Sequence, residues 1–262
     1  MSAPNKKDKK ELTIEQKINR RNFISFATFA VLAGGAFEGW RWLYKSPPEV
    51  RGVTAGAKKP LRKALNKTEL IFRRFFSDNH LVKTYPKEMA AKYVRVNSDI
   101  GVEAKKKFDP STWKLQVIKK GGEVLQISLQ ELMALPKTEI IYDFKCVEGW
   151  DQISHWGGVK FSDFIKHFKL DDYAKMDYVG METPDKTYYV GIDTPSAMHP
   201  QTLLAYEVNE KLLPLEHGAP LRLIIPVKYG IKNLKRIGTL SFSNNRPRDY
   251  WAEQGYDYYS GL

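Results

Sequence analysis

The hydrophobic and polar positions divide the chain into three stretches. Residues 1–21 are polar and rich in lysine, and an apolar run follows from Phe23 to Phe37. Prolines, glycines and lysines then dominate, so residues 46–68 are predicted to be a linker. From residue 69 to residue 262, short apolar segments alternate with turn residues. This pattern predicts one globular domain.

Short strands separated by turns and short helices are predicted to make up this domain. Strands are expected at 113–118, 124–127, 139–144, 177–181, 187–192, 221–227 and 236–242. A partly helical stretch over 69–95 is interrupted by Pro86. Further helices are expected at 128–135, where Ser128 and Glu131 form a capping box, and at 162–168. The predicted fold class is α+β, dominated by strands in mixed sheets with short helices between them.

The N-terminal stretch, residues 1–45, has the features of an export signal or a membrane anchor. Arg20 and Arg21 precede a moderately apolar run, which is typical of the twin-arginine export route. Trp40, Trp42 and Tyr44 form an aromatic cluster of the kind found at a membrane interface. This segment could be cleaved after export or retained as an anchor. No cleavage site with small residues lies close behind the apolar run, which favours an anchor. The protein is therefore expected in the periplasm or cell envelope.

Composition and charge restrict the kinds of partner. The 262 residues are 42% hydrophobic, enough for one sizeable core, and the formal net charge is +12. Residues 1–45 hold nine basic and four acidic residues, so a positive excess remains in the rest of the chain. This excess suits an anionic cofactor or partner, or simply a soluble surface. The basic residues are scattered and carry no nucleic-acid-binding signature.

The chain has a single cysteine, Cys146, which cannot form an intramolecular disulfide. Free cysteines are often buried as small hydrophobes. Alternatively, a thiolate is a soft ligand for a redox-active metal. Lys145 is expected to favour the ionised thiol, while Glu148 and Trp150 place a carboxylate and a flat wall just beyond it.

Two further patterns bear on chemistry. The five histidines are not paired at zinc-ligand spacing, and a cysteine–histidine hydrolase would need a base such as His155 beside the thiol. Basic residues and glycine cluster over 228–236, after the apolar strand at 221–227. Such a turn can form an anion cradle or be a solvated basic turn, and the spacing alone favours neither.

Five ordered motifs between Trp113 and Ser243 resemble the molybdopterin-binding domain of the sulfite oxidase family. The motifs are Cys146–Trp150, Trp156–Val159, Met198–Pro200, His217–Arg222 and Val227–Lys232. Within the family, the chain is most similar to the bacterial branch that contains the catalytic subunits of periplasmic protein-methionine-sulfoxide reductases. The resemblance implies a sulfite-oxidase-type fold and a molybdenum–molybdopterin cofactor.

The resemblance also implies roles for individual residues. Cys146 would be the thiolate ligand of molybdenum, beside the two dithiolene sulfurs of the cofactor, and Glu148 would relay protons close to the metal. Arg222 and Lys235 would supply charge for the cofactor's phosphate. The implied cofactor-binding residues are Asn97, Thr183, His217, Arg222, Asn233, Leu234 and Lys235.

Departures from the family pattern bear on the substrate. The reductase branch usually has asparagine at position 217 and tryptophan at position 227, where this chain has His217 and Val227. Sulfite oxidases carry arginines just after the cysteine, but here Glu148 would repel sulfite, so a neutral sulfoxide is expected. The predicted function is reduction of an S-oxide or N-oxide by oxygen-atom transfer. Oxidation of a small sulfur compound and a non-catalytic cofactor-binding module are the alternatives.

The sequence contains no haem-binding segment and no immunoglobulin-like dimerisation domain of the sulfite oxidase type. The expected electron partner is a membrane haem b protein or a quinone-linked cytochrome, and the expected state is a monomer.

Overall fold

The computed structural model describes residues 12–47, 58–76, 79–102 and 108–261. The chain divides into two compact units, of which the first comprises 1–48 with 58–60 and the second comprises 49–57 with 61–262. Much of the predicted linker, residues 48–57, lies outside the described residues.

The first unit is built around the long helix α1 (Ile14–Lys45). Thr13 caps its N-terminus through a capping box with Gln16, so the helix begins well before the apolar run that predicted it. Among the described residues, α1 is the one helix long and apolar enough to cross a membrane, a test that an N-terminal signal sequence also passes. This helix is compatible with the predicted signal or anchor.

Five more helices and ten strands follow in the described residues. The helices are α2 (Lys59–Phe75), α3 (Leu129–Met133), α4 (Phe161–His167), α5 (Thr194–Ala197) and α6 (Tyr250–Glu253). The strands are β1 (Leu115–Ile118), β2 (Val124–Ile127), β3 (Thr138–Lys145), β4 (Asp151–Lys160), β5 (Tyr178–Glu182), β6 (Tyr189–Asp193), β7 (Leu203–Val208), β8 (Lys211–Leu212), β9 (Arg222–Ile224) and β10 (Thr239–Ser243).

Two five-stranded sheets form the body of the second unit. The first sheet has the order β2-β1-β10-β5-β6, in which β1 and β10 are parallel and the other pairs are antiparallel. The second sheet has the order β3-β4-β7-β8, with β9 also paired to β7, and it is antiparallel. Short helices connect the strands, so the predicted strand-dominated α+β class with a mixed sheet is confirmed.

Local signals gave the clearest predictions. The turn between β1 and β2 forms where expected, with Gly121 at a φ of 80°. Ser128 and Glu131 form the predicted capping box at the start of α3. Alternation along β3 buries Ile140, Tyr142 and Phe144 on one face.

Other elements differ from the sequence-based expectation for physical reasons. The predicted strand 221–227 is shorter, since only Arg222–Ile224 is extended. The amide of Ile225 donates to the side-chain oxygen of Asn233 (2.8 Å) instead of to a strand, and Pro226 has no N–H to offer. Likewise β10 begins at Thr239 and not at Arg236, because Arg236 has a φ of 50°.

Strand β4 and the first part of helix α2, residues 59–68, were not anticipated, whereas residues 69–75 of α2 fall in the stretch predicted to be partly helical. β4 contains Gly157 and Gly158 at an irregularity opposite β7, where a Cβ on Gly158 would lie 2.2 Å from the carbonyl oxygen of Leu204. The close approach of two backbones therefore requires glycine in a strand, which hides the usual strand pattern. Helix α2 begins at Lys59, inside the stretch 46–68 predicted as a linker.

Candidate functional site

Cys146 lies in the tight turn that joins β3 to β4. Its amide donates to the carbonyl of Trp150 (2.9 Å), and its own carbonyl accepts from the amide of Gly149 (3.1 Å). Gly149 has a φ of 86°, a conformation that glycine adopts without strain. The hairpin therefore holds the thiol at a fixed point at the end of the second sheet.

The thiol lies at a cavity that also collects several predicted site residues. We call its wall formed by Cys146, Val147, Glu148, Trp251 and Tyr256 the cysteine end. The remaining predicted residues at this cavity are Asn97, Asn233 and Lys235. Residues from three distant parts of the chain are thus brought to one place.

Two further cavities continue from the first. The second is lined by Asn97, Trp156 and Arg222, and the third, about 590 Å³ in volume, by His155 and His217 among others. Asn97 lines both the first and the second cavity, and Val94 lines both the second and the third. The three cavities therefore lie next to one another in a row that suits an extended ligand.

The expected effect of Lys145 on the thiol is wrong. The Lys145 ammonium lies 3.8 Å from the carboxylate of Asp143 and is largely exposed. Burial instead raises the pKa of the Cys146 thiol, and the negative charge of Glu148 raises it further, while the backbone amides of Glu148 and Val147 oppose the rise. A bound cation at the sulfur would favour the thiolate that this environment disfavours.

The Glu148 carboxylate is held in place by an aromatic neighbour. The indole N–H of Trp150 donates to Glu148 Oε2 (2.8 Å). The Trp150 ring stacks on Phe144, with ring centroids 6.0 Å apart, and the Arg95 guanidinium lies 4.5 Å from its centre. Trp150 therefore packs against Phe144, and it also fixes the orientation of Glu148.

Three basic side chains distributed along the row form what we call the cationic end: Lys235 at the first cavity, Arg222 at the second and His217 at the third. Arg222 donates to the carbonyls of His217 (3.3 Å) and Asn233 (3.4 Å), and its guanidinium lies 4.4 Å from the centre of the buried Trp156 ring. Lys235 donates to the carbonyl of Ser98 (2.6 Å). In the described part of the chain, Arg222 and Lys235 form no ion pair with a carboxylate.

The cationic end has the electrostatics of an anion site. Burial and, to a smaller extent, the charge of Arg222 lower the pKa of Lys235 to about 7. Burial likewise lowers the pKa of Arg222 to about 10, and burial together with Arg222 and Lys235 lowers that of His217 to about 4. Arg222 Nε and His217 Nδ1 are buried without a hydrogen-bond partner. A bound anion would supply both the missing acceptor and the missing negative charge.

The other predicted residues have different surroundings. The side chain of Asn233 bonds the backbone of Ile225 and Tyr229, so it shapes the loop while lining the first cavity. Leu234 is fully buried in the main hydrophobic core, and its side chain is not at the three cavities. Thr183 is also fully buried, and its hydroxyl donates to Asp185 (2.7 Å). Neither Leu234 nor Thr183 presents its side chain to this row.

Several cavity residues were missed from the sequence. Tyr188, Trp251 and Tyr256 line the first cavity, and the rings of Trp251 and Tyr256 meet edge to face at 5.1 Å. Residues 246–262 are rich in aromatic side chains and Tyr188 lies in the predicted strand 187–192, but neither pattern by itself indicates a cavity. Asp249 caps α6, and its carboxylate also accepts from the amide of Gly191 (3.1 Å) and pairs with Lys232, long-range contacts that place Trp251 at the cavity.

The structure does not bring His155 to the thiol. His155 pairs with Ile141 in the β3–β4 ladder, several residues from the turn that holds Cys146. Its Nε2 lies 3.3 Å from the carboxylate of Glu139. The site therefore lacks the cysteine–histidine arrangement of a hydrolase.

Comparison with known proteins shows which proteins this chain is similar to. The family described as "Oxidoreductase molybdopterin binding domain" matches residues 102–251. A protein of Azospira oryzae named as protein-methionine-sulfoxide reductase subunit YedZ1 is 36% identical over 186 residues, which cover 71% of this chain and 70% of that protein. The protein-methionine-sulfoxide reductase catalytic subunit MsrP of Campylobacter jejuni is 28% identical over 244 residues, covering 84% and 82%.

A solved structure with some similarity is the sulfane dehydrogenase SoxCD from Paracoccus pantotrophus. It is 15% identical, with a TM-score of 0.48, and the match covers 65% of this chain and 56% of that chain.

Proposed function

The chain belongs to the family of oxidoreductases with a molybdopterin-binding domain, and from this premise we propose that it reduces S-oxides, with methionine sulfoxide as the substrate class. It is a molybdenum-dependent oxidoreductase, and its cofactor is molybdenum–molybdopterin. The observation that carries the proposal is the row of adjacent cavities, with a thiol at the first cavity and buried basic side chains without ion pairs along the row.

The residues at the two ends fit the two ends of this cofactor. Cys146 would provide the thiolate ligand of the metal, a soft donor for a sulfur-rich centre. Arg222, Lys235 and His217 would hold the phosphate, which supplies acceptors for Arg222 Nε and His217 Nδ1. When bound, the cofactor supplies two-electron oxygen-atom transfer. Thr183 and Leu234 would act through backbone or through support of the surrounding loops, given their burial.

The protein's own groups supply proton transfer and substrate selection. Reduction of a sulfoxide takes up two protons and releases water, and Glu148 is the carboxylate at the cysteine end. The indole of Trp150 keeps that carboxylate oriented. The negative charge of Glu148 disfavours an anionic substrate such as sulfite, while Ile231, Trp251 and Tyr256 offer apolar contact to a thioether group.

The relatives' names describe subunits, which supports a partner subunit for this chain as well. We propose a membrane haem b protein or a quinone-linked cytochrome as the electron donor, and a monomeric catalytic chain. The twin arginines and helix α1 support export by the twin-arginine route and retention at the membrane of the cell envelope, with residues 69–262 as the catalytic domain.

A substrate comparison on cofactor-loaded protein tests the proposal. With a reduced viologen as donor, methionine sulfoxide should be turned over, whereas oxidation of sulfite with an artificial acceptor should be slower by about 100-fold or more. Protein with Cys146→Ser serves as the control for adventitious reduction by the dye. Faster turnover of sulfite than of sulfoxides would contradict the reductase assignment.

A further inference from the structure

Helix α2 presents its polar side to the protein and its apolar side to solvent. Its buried residues are Arg62 and Glu69, while large apolar side chains on it are exposed. This is the reverse of an ordinary surface helix, which buries its apolar stripe. On this apolar side Phe72 stacks on Tyr259, with ring centroids 6.1 Å apart, yet the Phe72 side chain and its apolar neighbours on α2 remain exposed.

Polar contacts fix the helix in this orientation. Glu69 accepts from the hydroxyl of Tyr178 (3.0 Å) and pairs with Arg246. Arg246 also donates to the side chain of Asn66, and Arg73 pairs with Asp177 (3.0 Å). These contacts anchor one face of the helix, so the opposite face is held outward.

The outward surface has two parts. At about 100° per residue, five apolar side chains fall within an arc of about 120°, which we call the apolar arc. Its members are Leu61, Leu65, Ile71, Phe72 and Phe75, exposed by 49%, 39%, 55%, 55% and 78%. The adjoining basic arc comprises Lys59, Lys63, Lys67 and Arg74, with the exposed Leu70 among them.

We infer that this surface of α2 lies on the surface of an anionic phospholipid bilayer. An apolar stripe bordered by lysine and arginine is the pattern of a helix that rests in the membrane interface. Apolar side chains would enter the headgroup boundary, and the basic arc would meet anionic phosphates. The charge complementarity favours lipid over an uncharged protein groove.

The path of the chain between α1 and α2 also supports the bilayer as the partner of α2. Within the first unit, the amide of Lys59 donates to the carbonyl of Pro47 (3.2 Å), and the Lys58 ammonium lies 5.8 Å from the centre of the Tyr44 ring. The chain thus returns to the end of α1 just before α2 begins. That end of α1 carries Trp40 and Trp42, residues typical of the membrane interface. The inference rests on the proposed retention of α1 in the membrane.

Photocrosslinking of the full chain in lipid nanodiscs tests this placement. A benzophenone amino acid would replace Ile71 or Phe75 in discs containing phosphatidylglycerol, and lipid adducts would be counted by mass spectrometry. Val124, an exposed apolar residue (44%) on the edge strand β2, is the matched control. Adduct yields at Ile71 and Phe75 should exceed the yield at Val124 by about tenfold.

Three further arms make the result decisive. A label at Phe29 in α1 reports separately on anchoring. Absence of lipid adducts at Phe29 would contradict the retention of α1, whereas adducts at Phe29 without adducts at Ile71 and Phe75 would contradict only the placement of α2. Replacing Lys63, Lys67 and Arg74 together by glutamine should lower the α2 yield severalfold in anionic discs and leave it unchanged in zwitterionic discs. Yields at Ile71 and Phe75 no higher than at Val124 would overturn the inference. Adducts in native membranes that contain protein instead of lipid would overturn it as well, and would assign the arc to a protein partner.

Discussion

The cysteine end and the cationic end of the site are built in different ways. Cys146 is positioned by a local hairpin, through two backbone hydrogen bonds within five residues. The cationic end combines Arg222 from β9, Lys235 from the following loop and the carbonyl of Ser98 from a distant segment. The first end is acidic and aromatic, and the second is basic and incompletely paired. The contrast indicates that the hairpin alone fixes the position of the Cys146 thiol, whereas the cationic end needs a bound anion to balance its buried positive charge.

The largest effect is expected from Arg222→Met. The substitution removes the buried guanidinium proposed to bind the cofactor's phosphate, which should weaken cofactor retention by about 10³-fold. The molybdenum and pterin contents of purified protein measure the loss. Because the unpaired charge is also removed, the cofactor-free protein should be no less stable to urea than the wild type. Full retention of cofactor would show that the cationic end does not hold it.

A smaller effect is expected from Glu148→Gln at the cysteine end. The amide cannot deliver a proton, so kcat for sulfoxide reduction should fall by about 100-fold while molybdenum content stays the same. The relative rate with sulfite should rise, since the repelling charge is gone. Unchanged kcat would remove Glu148 from proton transfer.

The pH dependence of stability offers the third test. Burial lowers the pKa of Lys235 to about 7, from an ordinary value of 10.5. Between these values, the unfolded chain holds a proton that the folded cofactor-free protein has released, so folding stability should rise with pH. The contribution from Lys235 is at most about 1.4 kcal/mol per pH unit. Urea unfolding of cofactor-free protein at several pH values should show this slope, and Lys235→Met should flatten it. An equal slope in the wild type and in Lys235→Met would contradict the claim that the buried Lys235 causes this pH dependence.

The smallest effect is expected from Trp150→Phe. The ring keeps its packing against Phe144 but loses the hydrogen bond to Glu148, worth about 1 kcal/mol. A loss of kcat of about fivefold is expected, with KM unchanged and the pH profile of kcat displaced. In the Glu148→Gln background the same substitution should have little further effect. Equal losses in both backgrounds would mean that Trp150 acts independently of Glu148.

Elements determined by neighbouring residues could be predicted from the sequence, and elements that depend on distant contacts could not. The capping box at Ser128 and the strand that leads into Cys146 depend on neighbouring residues, so their patterns are visible in the chain. Strand β4 was hidden because its pairing with β7 requires Gly158, a residue that single-chain patterns assign to turns. Gly158→Ala should accordingly destabilise the fold more than Gly157→Ala, whose nearest contact is the flexible end of Glu207.

Long-range contacts account for the rest. The side chain of Asn233 shortens β9, and Trp251 and Tyr256 reach the cavity through the packing of the tail. Residues 59–68 of helix α2 were predicted as linker because this stretch opens with Pro60 and lysines and its apolar residues face outward. The site residues implied by family resemblance gather at the row of cavities, except for the side chains of Thr183 and Leu234, and their roles stay predictions.

The most direct test of the account is the molybdenum content per chain, measured by mass spectrometry on protein from a molybdopterin-competent host. The wild type should carry about one molybdenum, while folded Cys146→Ser should lose the metal or hold it without activity. Well-folded wild-type protein without molybdenum, or a Cys146→Ser variant with full metal content and full activity, would contradict the assignment of Cys146 as the metal ligand.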